Sequence, residues 1–219
     1  MTPPWMLIRL AIETSAHHAA ADEQRLQGLN VRTVDQYRAF LARIFGFEAV
    51  VERTLLRLLR REHSALYARM RTPLIREDLR ELGLGEPELA GVELAAAHIP
   101  SLAHGLGWMF VLERHTLLAG QLRRHIERVF GGASTGRTRY LGALGDRPAV
   151  SFRTFGETLG DFAQTYAPGL IAQGAQQAFR AQQLWYAAPQ QRRETAGPPA
   201  RGPEPEVGDV ALSAKRCAR

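Results

Sequence analysis

Residues 101–132 read SLAHGLGWMFVLERHTLLAGQLRRHIERVFGG and predict one long helix at the centre of the fold. Ser101 is a suitable N-cap, because its hydroxyl can accept a hydrogen bond from a first-turn N–H. The glycines at 131–132 are suitable terminators, since glycine adopts the left-handed conformation without a Cβ clash. The first half is apolar on nearly every side, as in a helix buried inside a domain. A polar triplet at 113–115 interrupts this apolar half, which marks it as a candidate functional position.

The rest of the chain also follows helical periodicity. Apolar residues recur at helical spacing in residues 5–26, in a region that begins after Thr33, and in residues 72–82, 151–167 and 170–188. The segment 85–100 is a predicted connection with one helical turn near 92–96, and the glycine-rich segment 131–148 is a predicted loop. Strand-like alternation never extends beyond a few residues, so the sequence predicts an all-α fold.

Composition predicts one helical domain, residues 1–188, followed by a disordered tail, residues 189–219. The chain has 219 residues, of which 45% are hydrophobic, enough for one sizeable core. The tail holds five prolines and few large apolar side chains, a composition typical of disorder. The net charge of +6 comes almost entirely from arginines that alternate with acidic residues, as on a solvated helix face. We therefore expect no nucleic-acid partner.

The location predicted from the sequence is the cytoplasm. Cys217 is the only cysteine, so an internal disulfide is impossible, as is common in reducing compartments. The apolar run at 5–12 is short and contains Arg9, so it fits neither a signal peptide nor a membrane span. We expect a soluble protein without a membrane partner.

Seven histidines are candidate ligands, and the pair His17-His18 stands out because of its neighbours. Thr14 precedes His18 by four residues and Asp22 follows it by four, so the three side chains share one helix face. From these residues alone, two exposed polar histidines would be the favoured interpretation of this pair.

The Thr14-His18-Asp22 frame and residues 105–113, GLGWMFVLE, together resemble the bacterial heme oxygenases. That family reads roughly LGWLYVLEGSTLGG in its distal helix, and its first helix carries T-x-x-x-H-x-x-x-(E/D). Weaker similarities lie at residues 78–83, 152–155 and 175–185, so the resemblance covers residues 6–188. It implies a heme oxygenase-like multi-helix bundle that cleaves heme to biliverdin, carbon monoxide and ferrous iron.

The resemblance also implies roles for individual residues. His18 corresponds to the histidine that binds the heme iron, and heme is both substrate and cofactor. The implied heme-binding residues are Thr14, His18, Gly107, Phe110, Arg123 and Phe179, and the arginine would bind a heme propionate. The implied partners are heme, an electron donor such as a ferredoxin or a reductase, and a biliverdin-using photoreceptor.

The distal helix departs from the family pattern where the reaction would take place. Arg114 and Leu118 replace family glycines at positions i and i+4, and His115 replaces a small residue. These three residues are the candidate catalytic positions. Arg114 and Leu118 would face the heme if their side of the helix covers the iron, whereas His115 would ligate the iron as a sixth ligand, hold a water molecule, or point elsewhere. Two functions remain open: a heme oxygenase, or a non-catalytic protein that binds heme or another tetrapyrrole on the same fold. A di-iron oxidase is disfavoured, because no glutamate precedes a histidine by three residues.

Overall fold

The computed structural model describes residues 3–60, 63–131, 137–143 and 147–188. These residues form helices and connecting turns without any strand, so the all-α prediction is confirmed for them. The described helices lie in one compact unit, Met1–Ala188. The predicted disordered tail, residues 189–219, lies outside the described residues.

The helices follow one another with short connections, as in a bundle. In chain order they are α1 (Trp5–Glu13), α2 (Ser15–Leu26), α3 (Val34–Leu58), α4 (Ser64–Tyr67), α5 (Thr72–Glu81), α6 (Glu86–Ala90), α7 (Leu102–Phe130), α8 (Arg139–Gly142), α9 (Pro148–Thr165) and α10 (Pro168–Ala187). None of the described helices is long and apolar enough to cross a bilayer.

The predicted single helix over residues 5–26 is bent at Thr14 into α1 and α2. The Thr14 hydroxyl donates a hydrogen bond to the Leu10 carbonyl one turn earlier, at 2.6 Å. A threonine that bonds back to the preceding turn often bends a helix. The bend therefore has a local cause, although helical periodicity alone does not reveal it.

Two connections also differ from the sequence-based prediction. The helical turn predicted near residues 92–96 is wrong, because the helix in this segment is α6, with Pro87 in its first turn. Proline favours the first turn, where its missing N–H has no intrahelical partner. The predicted loop 131–148 contains the short helix α8, whose first N–H groups bond to the buried carboxylate of Asp78.

The central helix α7 begins and ends as its sequence predicts. The Ser101 side chain accepts a hydrogen bond from the His104 N–H, and Gly131 terminates the helix with φ of +58°. Buried residues follow the whole length of α7, and they belong to two apolar clusters. Its N-terminal half packs with α1, α9, α10 and the C-terminal part of α3, whereas its C-terminal half packs with the N-terminal part of α3 and with α5 and α8.

Helices α7 and α10 pack so closely that glycine is required where they meet. A Cβ at Gly107 would overlap the Ile171 carbonyl oxygen and the Ala175 amide nitrogen of α10. A Cβ at Gly174 of α10 would overlap the backbone of His104 in the same way. The two backbones therefore approach each other through this pair of glycines, which fixes α10 against the centre of the fold.

Replacing Gly107 by alanine should destabilise the fold, because the new methyl group meets backbone that can move only with its helix. We expect a loss of about 1–3 kcal/mol in the free energy of unfolding, the usual cost of overpacking. Gly120→Ala is the matched control on the same helix, since the nearest atom to its Cβ is the flexible Arg124 Nη1 at 3.5 Å. That control should gain up to about 1 kcal/mol from helix propensity. Urea denaturation of both variants measures the difference, and equal stabilities would contradict the close packing.

Candidate functional site

His18 lies on α2 against an aromatic wall formed by α10. Its Nε2 is 2.8 Å from the Thr14 hydroxyl oxygen, as the four-residue spacing predicts. Because the Thr14 hydroxyl donates to Leu10, it accepts from the imidazole, and the proton therefore lies on Nε2. The Phe179 ring lies 5.5 Å from the His18 ring and is stacked 5.7 Å from the His17 ring. Phe110 of α7 meets Phe179 edge-on at 6.4 Å, which extends the wall to the central helix.

An ion pair joins α7 to α2 beside His18. The Arg114 guanidinium binds Asp22 through two nitrogens, with Nη2 2.7 Å from Oδ2 and Nη1 bonded to Oδ1. The Arg114 side chain is 15% exposed and that of Asp22 is 33% exposed, so the pair lies partly open to solvent. This pair and the His18 ring define what we call the α2–α7 cleft.

The cleft holds the imidazole of His18 in its neutral form. Partial burial lowers the pKa of His18 below the usual 6.5, and the positive charge of Arg114 lowers it further. The Asp22 carboxylate acts in the opposite direction but does not reverse the shift. A neutral imidazole is the form that binds heme iron or another metal.

The cleft fits one part of the implied heme chemistry and conflicts with another. Neutral His18 and the Arg114 guanidinium are suitable partners for an iron atom and a carboxylate, respectively. In the described conformation, however, the Arg114 side chain crosses from α7 to Asp22, at the position where the heme oxygenases that the sequence resembles have a glycine. A large planar group could enter only after this ion pair separates.

For three of the candidate residues on α7, the described contacts do not involve His18. Gly107 is closed off by the backbone of α10, so its close approach serves helix packing. Arg123 pairs with Glu127 on its own helix at 3.0 Å. Leu118 is partly buried, and no specific polar or aromatic contact involves it. Heme contact at Gly107 stays a prediction, and in the described conformation the position of its missing Cβ faces the backbone of α10.

His115 faces a different part of the core from Arg114. Its Nε2 lies 3.0 Å from Gln182 Oε1 on α10, and its Nδ1 lies 3.9 Å from Glu48 Oε1 on α3. Neither partner is shared with His18. Successive residues of a helix point about 100° apart, which is why neighbours on α7 reach different elements. In the described conformation His115 therefore belongs to a buried polar cluster, and a role for it at the heme stays a prediction.

That cluster consists of ionisable and hydrogen-bonding side chains enclosed between α2, α3, α7, α8 and α10. Tyr140 donates to Glu48 Oε1 at 2.6 Å and accepts from Arg25, which lies 3.5 Å from the same carboxylate oxygen. Hydrogen bonding and Arg25 hold the pKa of Glu48 below its usual value despite burial, which alone would raise it. Burial lowers the pKa of His115 and so keeps it neutral near pH 7. The cluster therefore contains one compensated ion pair and a neutral imidazole.

One feature of the sequence indicates this buried cluster, although helical spacing does not reveal it. Glu48 interrupts the apolar run IFGFEAVV on α3, and a charged residue within such a run is rarely buried without a partner. Its partners Arg25, Tyr140 and Gln182 come from distant parts of the chain, so no local pattern connects them. Among the described residues, no group of three or more His, Cys, Asp and Glu is arranged to hold a metal ion.

The neutral state of His115 makes its contribution to stability dependent on pH. Because the folded pKa lies below the unfolded value of 6.5, the unfolded chain binds more protons as the pH falls below about 6.5. Stability is therefore lost on acidification through this residue. His115→Gln removes the titration, so the wild type should lose stability relative to the variant between pH 7 and pH 5 by roughly 1–2 kcal/mol. Urea denaturation at several pH values measures this difference, and a constant difference would show that His115 is freely protonated in the fold.

No family model matches this chain, and no curated protein matches it significantly. The features that bear on function are therefore the α2–α7 cleft and the sequence motifs that resemble those of the heme oxygenases.

Proposed function

We propose that this protein binds a carboxylate-bearing tetrapyrrole, with heme as the candidate, in the α2–α7 cleft without cleaving it efficiently. The observation that carries the proposal is the Arg114–Asp22 ion pair beside the neutral His18. In this proposal His18 is the axial ligand and Arg114 binds a propionate. We place this activity in the cytoplasm.

The imidazole of His18 supports the proposal through its protonation and its position. It is half-buried at the edge of the core, and its pKa is lowered, so its free nitrogen is available near pH 7. Thr14 holds the other nitrogen at 2.8 Å and so restrains the ring. Such a partner fixes the tautomer and orientation of a ligating histidine. Phe179 and Phe110, both fully buried, form the apolar core behind the His18 ring, against which a macrocycle would pack once the cleft opens.

Arg114 supports the proposal because it already binds a carboxylate in the cleft. The guanidinium of arginine binds carboxylates through two parallel hydrogen bonds, whether they belong to Asp22 or to a ligand. A propionate can therefore replace Asp22 with little change in the arginine's bonding. The exchange would also open the connection between α7 and α2, which provides the space that the closed cleft lacks.

Heme cleavage is the second candidate function, and the Thr14–His18 hydrogen bond favours it equally. It would require an electron donor, and a biliverdin-using photoreceptor would be a natural recipient of its product. Cleavage needs oxygen to be aimed at one carbon of the ring, and small errors of placement can cost on the order of a hundredfold in rate. Arg114 and Leu118, in place of glycines, make such placement difficult, so we rank binding first.

Hemin titration tests the proposal directly. The wild type should show a saturable Soret band, and His18→Ala should abolish it or convert it to a weakly ligated spectrum. His17→Ala is the matched control and should leave the band nearly unchanged, because its ring stacks on Phe179 without a bond to Thr14. After a reductant and oxygen are added, the band should persist. Conversion to a biliverdin spectrum would favour the oxygenase, and the absence of any Soret band would exclude both functions.

Variants of the ion pair test the role of Arg114. Asp22→Asn removes the competing carboxylate, so hemin should bind several-fold more tightly. Arg114→Gln removes the partner of the propionate, so hemin should bind several-fold more weakly. Asp35→Asn is the control, because Asp35 forms a comparable exposed pair with Arg38 at 2.7 Å on α3. Equal hemin affinities for all these proteins would show that the cleft does not exchange carboxylates.

A further inference from the structure

A cavity lies between α4, α5, α8 and the first turns of α9, and none of its lining residues belongs to the α2–α7 cleft. Its volume is about 320 Å³. The apolar part of its wall comes from Ala65, Ala68, Met70, Leu74 and Ala143. The polar part comes from Arg69, Arg71 and Ser151.

The two arginines that line the cavity, Arg69 and Arg71, are both held by the carboxylate of Glu113. Arg69 Nη1 lies 2.9 Å from Glu113 Oε2, and Arg71 Nη2 lies 2.7 Å from Glu113 Oε1. Glu113 is almost completely buried on α7. The Arg69 guanidinium also lies over the Phe155 ring at 5.2 Å and reaches the Ser151 carbonyl at 3.4 Å. Both arginines are thus preorganised, because one carboxylate fixes one end of each guanidinium.

Two acidic residues of the described chain, Glu113 and Glu52, lie near the cavity but do not line it. Glu52 accepts the backbone N–H groups of Arg71 and Thr72, at 2.6 and 2.9 Å, so it is committed to the start of α5. Among the residues that the structure describes, the charged side chains that line the cavity are therefore both positive. The arginine side chains are only 13% and 11% exposed, so water screens them weakly.

We propose that this cavity binds a small organic carboxylate that carries an apolar body. The guanidinium groups of Arg69 and Arg71 provide donors for the carboxylate, and arginine matches that planar group better than lysine does. The alanines, Met70 and Leu74 provide the surface for the apolar body. The volume lies at the lower end of the range for small-molecule pockets, which limits the ligand to a compact molecule.

Benzoate and its neutral analogue benzamide are the probes, because they share a shape and differ in charge. Isothermal titration calorimetry of the full chain should give saturable one-to-one binding of benzoate, with benzamide at least tenfold weaker. Arg69→Gln should weaken benzoate binding at least tenfold, and so should Ala68→Trp, which fills the cavity without touching the ion pairs. Arg9→Gln is the matched control, since Arg9 forms an exposed pair with Glu13 on α1.

The outcomes separate this site from the α2–α7 cleft. His18→Ala should leave benzoate affinity unchanged, whatever it does to hemin, so failure of one proposal does not affect the other. Circular dichroism establishes that each variant is folded, and Ala68→Trp remains decisive if Arg69→Gln does not fold. The proposal is overturned by equal affinities for benzoate and benzamide, by unchanged affinity in both cavity variants, or by no saturable binding at millimolar benzoate.

Discussion

The close packing of α7 against α10 is the constraint on which the rest of the structure depends. It requires hydrogen in place of a side chain at Gly107 and Gly174, because each faces the other helix's backbone. Once the two helices are in contact, Phe110 meets Phe179, and His115 comes within 3.0 Å of Gln182. The aromatic wall behind His18 and one side of the buried polar cluster are therefore consequences of a single helix contact.

Three consecutive polar residues then connect α7 to the rest of the bundle. Glu113 binds Arg69 and Arg71 beside α5, Arg114 binds Asp22 on α2, and His115 faces α3 and α10. The rotation of about 100° per residue sends each side chain toward a different element. A buried charge is costly unless it is paired, and a buried polar group is costly unless it is hydrogen-bonded. Each of these contacts therefore constrains which helix must lie on that side of α7. The triplet thus serves as a set of directional contacts within an otherwise apolar helix.

Local features of this fold were predictable from the sequence, whereas tertiary partnerships were not. Helix ends depend on capping residues such as Ser101 and Gly131. Ser101 acts through its hydroxyl and Gly131 through its backbone conformation, and both effects lie within one turn of the helix. The Thr14–His18 contact was predictable for the same reason, since its spacing lies within one helix. By contrast, the glycine pattern at Gly107 is equally compatible with a nearby cofactor and a nearby helix. Only the position of α10, set by contacts far along the chain, distinguishes the two.

The cleft beside His18 is held closed by an interaction that is easy to replace. An ion pair near the surface contributes only about 0–1 kcal/mol, because solvent can solvate both ions when they separate. With Asp22 one-third exposed, opening the α2–α7 cleft costs far less than separating the buried contacts of Glu113. A ligand that offers a carboxylate to Arg114 would recover that small cost on binding, and a neutral ligand would not. If the proposed function holds, the closed cleft would therefore favour anionic ligands, since occupancy depends on how differently a ligand binds the closed and open forms.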